Sequence, residues 1–251
     1  MLIQNTGSQE HTTVKAIIYG PAGAGKTTSA GTLDGRSLML VLDPGLMSLQ
    51  HKNIDFLDIS KGDVIDKESG KPVTITDPAA RIERLSQIFK WLHAGCPDPK
   101  TGKATWKYHN LFVDSLTEIS EVLIQKLQKD FPDRKDSFPM WGEYSKIMKS
   151  IVKNFRDLPY NVFMTCLSKP DKDDTGKRFI TFDIAGSISD RLPQYFDLVL
   201  YLHVDEDGKR FFITRSTPTI ICKDRSSKLL PKEEADLEMI IQKIQKKEIN
   251  Q

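Results

Sequence analysis

An α/β fold is the class this sequence predicts: a mostly parallel sheet flanked by helices, with antiparallel strands added toward the C-terminus. Three observations carry it. Apolar runs alternate with helix-period segments from Val14 to Cys166. The first run, Val14 to Tyr19, ends in the glycine-rich turn IYGPAGAGKTT, which opens a helix. Beyond Arg178 the pattern changes, and strand-like runs follow one another across short turns.

The individual elements follow in order. VKAIIY is a buried strand, and residues 26–33 begin the first helix. Ser37 to Asp43 (SLMLVLD) and Ile54 to Ile59 (IDFLDI) are the next strands. Residues 60–77 are polar and punctuated by Gly and Pro, which predicts a loop or a small hairpin. Pro78 starts a helix with Ile82, Leu85, Phe89 and Leu92 at helical spacing. After a turn-rich stretch from Cys96 to Lys107 come the strand NLFVD (Asn110 to Asp114) and a helix faced by Leu116, Ile119, Leu123 and Leu127. A further helix carries Tyr144, Ile147, Met148, Ile151 and Phe155 and leads to the strand NVFMTC. FITF, DLVLYLHV, RFFITR and TIIC read as strands, with EDGK at 206–209 as a turn, and Leu237 to Ile244 as a last helix.

At 251 residues the chain suits one large α/β domain, placed at 13–246 between a flexible tail of residues 1–12 and a short tail of 247–251. A hydrophobic content of 39% with 28% charged residues belongs to an ordinary globular chain. With a net charge of only +2, any nucleic-acid contact has to come from a local patch. Cys96, Cys166 and Cys222 are few and scattered, against a disulfide framework and in keeping with a reducing cytoplasm. His93 and Cys96 lie close together, but no second ligand pair follows to make a zinc site. No apolar run approaches the ~20 residues of a membrane span, so no membrane partner is expected and the expected location is the cytoplasm.

The chemistry concentrates in the opening loop. Gly20, Gly25, Lys26 and Thr27 match G-x-x-x-x-G-K-[ST], with Pro21, Ala22, Gly23 and Ala24 between them and Thr28 after. Glycines let the backbone close on a phosphate, the lysine neutralises β/γ charge, and the threonine hydroxyl ligates Mg²⁺. ATP and Mg²⁺ are therefore the expected ligands. Asp114, at the end of an apolar strand, is placed to hold the metal with Thr27, although an N-cap aspartate would read the same way. Asp43 ends another strand and is placed either to orient an attacking water or to form the Asp-Pro-Gly turn. Glu118 is a weaker alternative for the water, more in keeping with a solvated helix face.

In TIICKDR, Lys223 and Arg225 point the same way on an extended segment, suited to a phosphate held by this chain or a neighbour, or else to a solvated strand end. Two further stretches mix cations with aromatics or turns: Arg134, Lys135 and Trp141 in one, and Lys169, Lys172, Lys177 and Arg178 in the other. Both are candidates for single-stranded DNA or for charge-balanced surface loops.

Taken as an ordered set, GPAGAGKTT, LVLDPG, NLFVDSLTEI, NVFMTC, FDLVLYL and CKDR resemble the RecA-type P-loop ATPase core over residues 13–245. The chain is most similar to the short phage RecA-like proteins of the single-strand annealing (Sak) group. That resemblance implies ATP bound between subunits of a ring or filament, single-stranded DNA binding, and a role in recombination or annealing. A single-strand-binding protein is a candidate loading partner, and host-cell cytoplasm the location. It also implies DNA contacts at the regions of Arg134–Trp141 and Lys169–Arg178, and Lys223 with Arg225 reaching a neighbour's γ-phosphate. The chain departs from the pattern after Asp43, where no glutamate follows, and leaves Thr165 and Ser168 where relatives carry a Gln or His. Two alternatives stay open: a nucleotide-gated DNA-binding module with little hydrolysis, and a small-molecule or nucleotide kinase built on the same loop.

Overall fold

The computed structural model describes residues 13–42, 45–67, 69–98, 100–132 and 138–245. The proposed tails, Asp43, Arg134 and Lys135 lie outside the described residues. The elements run in the order β1 (Lys15–Gly20), α1 (Lys26–Ser29), β2 (Ser37–Val41), β3 (Asp55–Asp58), β4 (Lys61–Ile65), β5 (Pro72–Thr74), α2 (Pro78–His93) and β6 (Asn110–Asp114). They continue with α3 (Leu116–Asp130), α4 (Phe138–Arg156), β7 (Asn161–Lys172), β8 (Arg178–Phe182), α5 (Ile188–Tyr195), β9 (Leu198–Val204), β10 (Arg210–Ile213), β11 (Lys223–Asp224), β12 (Lys232–Glu234) and α6 (Leu237–Gln245).

The main sheet has the order β12-β10-β9-β1-β7-β6-β2-β3. From β9 to β3 neighbouring strands are parallel, while β10 and β12 continue the sheet in antiparallel fashion. This is the mostly parallel α/β arrangement expected. Its physical basis is visible in the strands: β2 is buried at every position, as befits a strand covered on both faces.

Alternation then sorts side chains between two cores. Ile17, Tyr19, Leu111, Val113, Val162 and Met164 face α2 to α5, whereas Ala16, Ile18, Phe112, Phe163, Leu198 and Leu200 face α1 and α6. Helix starts obey local chemistry. Asp77 caps α2 by accepting from Ala80 N–H ahead of Pro78, and Ser115 caps α3 by accepting from Glu118 N–H.

Of the two readings of residues 60–77, a loop or a small hairpin, the structure has the hairpin, β4–β5. Two expectations are corrected. Ser168 to Arg178 is not a loop: β7 runs on to Lys172 and folds back through β8, from Ser168↔Phe182 to Lys172↔Arg178. TIIC, in turn, is no ladder strand. The Tyr19 hydroxyl donates to Ile221 O at 2.7 Å and accepts from Ile221 N–H at 3.0 Å, and the Ser216 hydroxyl serves Cys222 in the same way. Side chains thus satisfy backbone that a neighbouring strand would otherwise bind; within TIIC an isolated bridge links Ile220 to Ile180, and ladder pairing starts at the two-residue β11.

Candidate functional site

β1 delivers its last residue, Gly20, to the C-terminal edge of the sheet, where open α/β sheets collect ligands. A Cβ at Gly20 would stand 2.8 Å from Leu202 O, a backbone atom of β9 with no freedom to yield. Glycine is therefore what lets β1 turn into the loop. At Gly25 the requirement is conformational, since φ is 100° at the residue that caps α1. Gly23, at φ 76°, helps curl the backbone between them. Pro21, Ala22 and Ala24 fill the turn, with Ala24 N–H donating to Pro21 O at 3.3 Å.

Lys26, the first residue of α1, is 8% exposed. Its Nζ donates to Gly20 O at 2.9 Å and Pro21 O at 2.8 Å, folding back over the loop. Burial lowers its pKa, and the nearby Asp114 carboxylate acts against that shift.

Asp114 ends β6, which is separated from β1 by β7 alone. Its Oδ2 accepts from the Thr27 hydroxyl at 2.6 Å and its Oδ1 accepts from the hydroxyl of Thr165, which lies on the intervening β7. Two strands and the first turn of α1 thus converge on one carboxylate next to the loop lysine. The chemistry fits Mg²⁺, which takes one or two protein oxygens together with phosphate and keeps several waters. Among the described residues no cluster of three or more His, Cys, Asp or Glu offers a metal a closed cage.

Other expected site residues fall elsewhere. Glu118 is half-buried in the first turn of α3 rather than on a solvated face. Lys223 and Arg225 sit beside the start of β9, where Asp224 pairs with Leu198, at the opposite edge of the sheet from Gly20. Lys223 Nζ donates to Pro193 O at 2.9 Å and Phe196 O at 2.7 Å, and Arg225 binds Asp197 at 2.6 Å. Neither reaches this chain's own phosphate loop, and Arg225 has Asp197 as its partner.

Lys172, Lys177 and Arg178 are exposed near the end of the β7–β8 hairpin, while Lys169 is held by Ile184 O and Asp183. Trp141 is 38% exposed on α4, edge-on to Tyr144 and against Gly186. Further along α4, Lys146 and Lys149 line a pocket of about 200 Å³ together with Arg191 of α5. Lys149 and Arg191 were not anticipated, because their grouping depends on how α4 and α5 pack.

Arg210 is the other residue that sequence reasoning missed. The turn at Gly208 places it at the start of β10, two strands from β1, and its side chain lies across Gly25. The profile of the AAA_24 family, described as an AAA domain, matches residues 12–226. A search of curated proteins found no match to the chain.

Proposed function

The chain belongs to the AAA_24 family of AAA domains, a P-loop NTPase family, which supports nucleotide binding at Gly20–Thr28; from that premise we propose that it is a RecA-core ATPase of the phage type. In this reading it binds ATP·Mg²⁺ between subunits, assembles as a ring or filament, and engages single-stranded DNA in recombination or strand annealing.

The observation that carries the nucleotide half is the convergence of Lys26, Thr27, Thr165 and Asp114. Lys26 would neutralise phosphate charge in place of the loop carbonyls it now covers, and the Thr27 hydroxyl, with Asp114, would hold the metal. Bound Mg²⁺ supplies charge stabilisation on the β- and γ-oxygens. Lys223 and Arg225 lie at the far edge of the sheet, so any part they play at a phosphate is played at a neighbour's. The DNA half is supported by Trp141, exposed on α4, and by Lys149 and Arg191, which line a pocket further along the same helix: aromatics that stack bases and cations that track phosphates are the combination single strands use.

Fluorescence anisotropy with a labelled oligonucleotide, alongside particle mass, tests the reading. ATP with Mg²⁺ should drive the protein to larger assemblies and tighten DNA binding, and Trp141→Ala should weaken that binding about tenfold. Phosphate transfer to a nucleoside or nucleotide without DNA would favour the kinase reading. ATP binding without turnover, with or without DNA, would favour the nucleotide-gated module. If ATP binds but particles stay monomeric and DNA stays free, the assembly and DNA half is wrong.

A further inference from the structure

Behind the phosphate loop, on the side away from Asp114, lies a pocket of about 370 Å³. Gly25, Thr28 and Thr32 form one wall, Arg210 another, and Glu234 and Asp236 the far end. α6 closes it below, where Leu237 N–H donates to the Thr32 hydroxyl at 2.8 Å. The Arg210 side chain runs so close over the loop that a Cβ on Gly25 would stand 2.7 Å from its Nε and 2.9 Å from its Cδ. Among the described residues its guanidinium has no hydrogen-bond or ion-pair partner. Lys209, next to it, is occupied by Phe211 and Glu234.

The pocket is polarised: a free cation at the loop end and carboxylates at the other. Such a cavity matches a ligand that is anionic at one end and carries N–H or O–H donors at the other. Threading fixes the direction. Thr27 and Asp114 would hold the metal, which would supply charge to the terminal phosphates, so those belong beside these two residues. The rest of the molecule then leaves over Thr28, toward β9 and β10.

We infer that Arg210 is a nucleotide-binding residue acting within its own chain, donating to the phosphates nearest the nucleoside, and that the pocket beside it takes the nucleoside. The inference rests on the nucleotide-binding reading above. The guanidinium lies over Gly25, and with nucleotide bound it would turn its planar fork to phosphate oxygens, the geometry for which arginine is better suited than lysine. Glu234 and Asp236 accept from ribose hydroxyls or base N–H groups and repel the phosphate chain from that end.

Equilibrium binding of ATP, ADP and inorganic pyrophosphate to the full chain tests this, with Arg210→Ala, Arg210→Lys and Lys26→Ala as variants. Arg210→Ala should weaken ATP and ADP by a similar factor, roughly ten- to a hundredfold, as expected for losing hydrogen bonds to a charged group. Arg210→Lys should recover only part of that loss, and wild type should hold ADP well above pyrophosphate. The ligand-free melting temperature should stay at the wild-type value, since Arg210 is exposed and unpaired. Wild-type affinity for ADP in Arg210→Ala would overturn the inference. A loss confined to ATP would move Arg210 to the γ-phosphate, overturning its place on the nucleoside side. Equal affinity for ADP and pyrophosphate would remove the nucleoside pocket. If wild type binds no nucleotide and Lys26→Ala is indistinguishable from it, the nucleotide reading fails as well.

Discussion

Lys26 at one edge of the sheet and the pair Lys15 and Lys223 at the other solve the same problem with different consequences. Each of the three lies over two backbone carbonyls, and burial lowers the pKa of each. Lys15 donates to Leu158 O and Tyr160 O just beyond the end of α4, and Lys223 to Pro193 O and Phe196 O at the end of α5. Of these only Pro193 O lies in the last turn of a helix, whose carbonyls have no partner within it, but at both helix ends a cation answers the negative end of the helix dipole. Lys26 instead covers carbonyls of a glycine loop, within reach of a carboxylate held by two hydroxyls. A buried lysine is therefore no mark of a site by itself. The mark is a partner set that a phosphate can replace.

The comparison breaks first at Lys26. Lys26→Ala should lower ATP affinity about a hundredfold or more, because it removes charge-assisted hydrogen bonds to phosphate. Titration calorimetry would show it, and wild-type affinity would reduce Lys26 to the same structural part as the other two. Asp114→Ala should have the next largest effect. Wild type should bind ATP more tightly with Mg²⁺ than without, and the variant should lose that gain, roughly tenfold. Should Mg²⁺ still tighten ATP equally in the variant, the metal is held elsewhere.

How far this contrast could be read in advance depends on the element. NLFVD is a strand from Asn110 to Asp114 as expected, since Leu111, Phe112 and Val113, buried on both faces, leave a continuous apolar run. The loop was equally legible, because its glycines answer to local needs at Gly20 and Gly25. Lys223 and Arg225 carried a spacing that suits phosphate, yet their partners Pro193, Phe196 and Asp197 come from the end of α5 and the turn into β9. Nothing in CKDR announces that packing. Arg210 carried no pattern at all: it reaches Gly25 only because β10 adds to β9 and β9 to β1. TIIC has strand composition, but the Tyr19 hydroxyl, some two hundred residues earlier, takes Ile221's backbone groups.

A middle-sized effect sharpens the contrast from the other edge. Lys223→Met keeps the apolar stem but leaves Pro193 O and Phe196 O without their donor. That costs about 1–3 kcal/mol of stability, measurable by chemical denaturation, with ATP affinity unchanged. Should ATP turnover of the assembled protein also fall while folding holds at the assay temperature, Lys223 acts on a neighbour's nucleotide, and the two edges serve one site.

The smallest effect separates the edges by pH. Burial lowers the Lys15 pKa from its ordinary 10.5 to about 8, with Asp197 and Asp157 pulling the other way. Between those values the unfolded chain holds a proton that the folded chain has released, so this group makes stability rise with pH across the window. Cys166 and Cys222 work in the opposite sense. Burial raises each thiol from 9.0 to about 12, so above pH 9 the unfolded chain ionises first and stability is lost. The lysine's contribution is therefore cleanest between pH 8 and 9, before the thiols act. Urea midpoints over that interval should rise in wild type, and Lys15→Met should flatten the rise without touching ATP affinity. A rise of equal size in Lys15→Met would assign it to another group, and would leave Lys15 charged at the end of α4 over that whole interval.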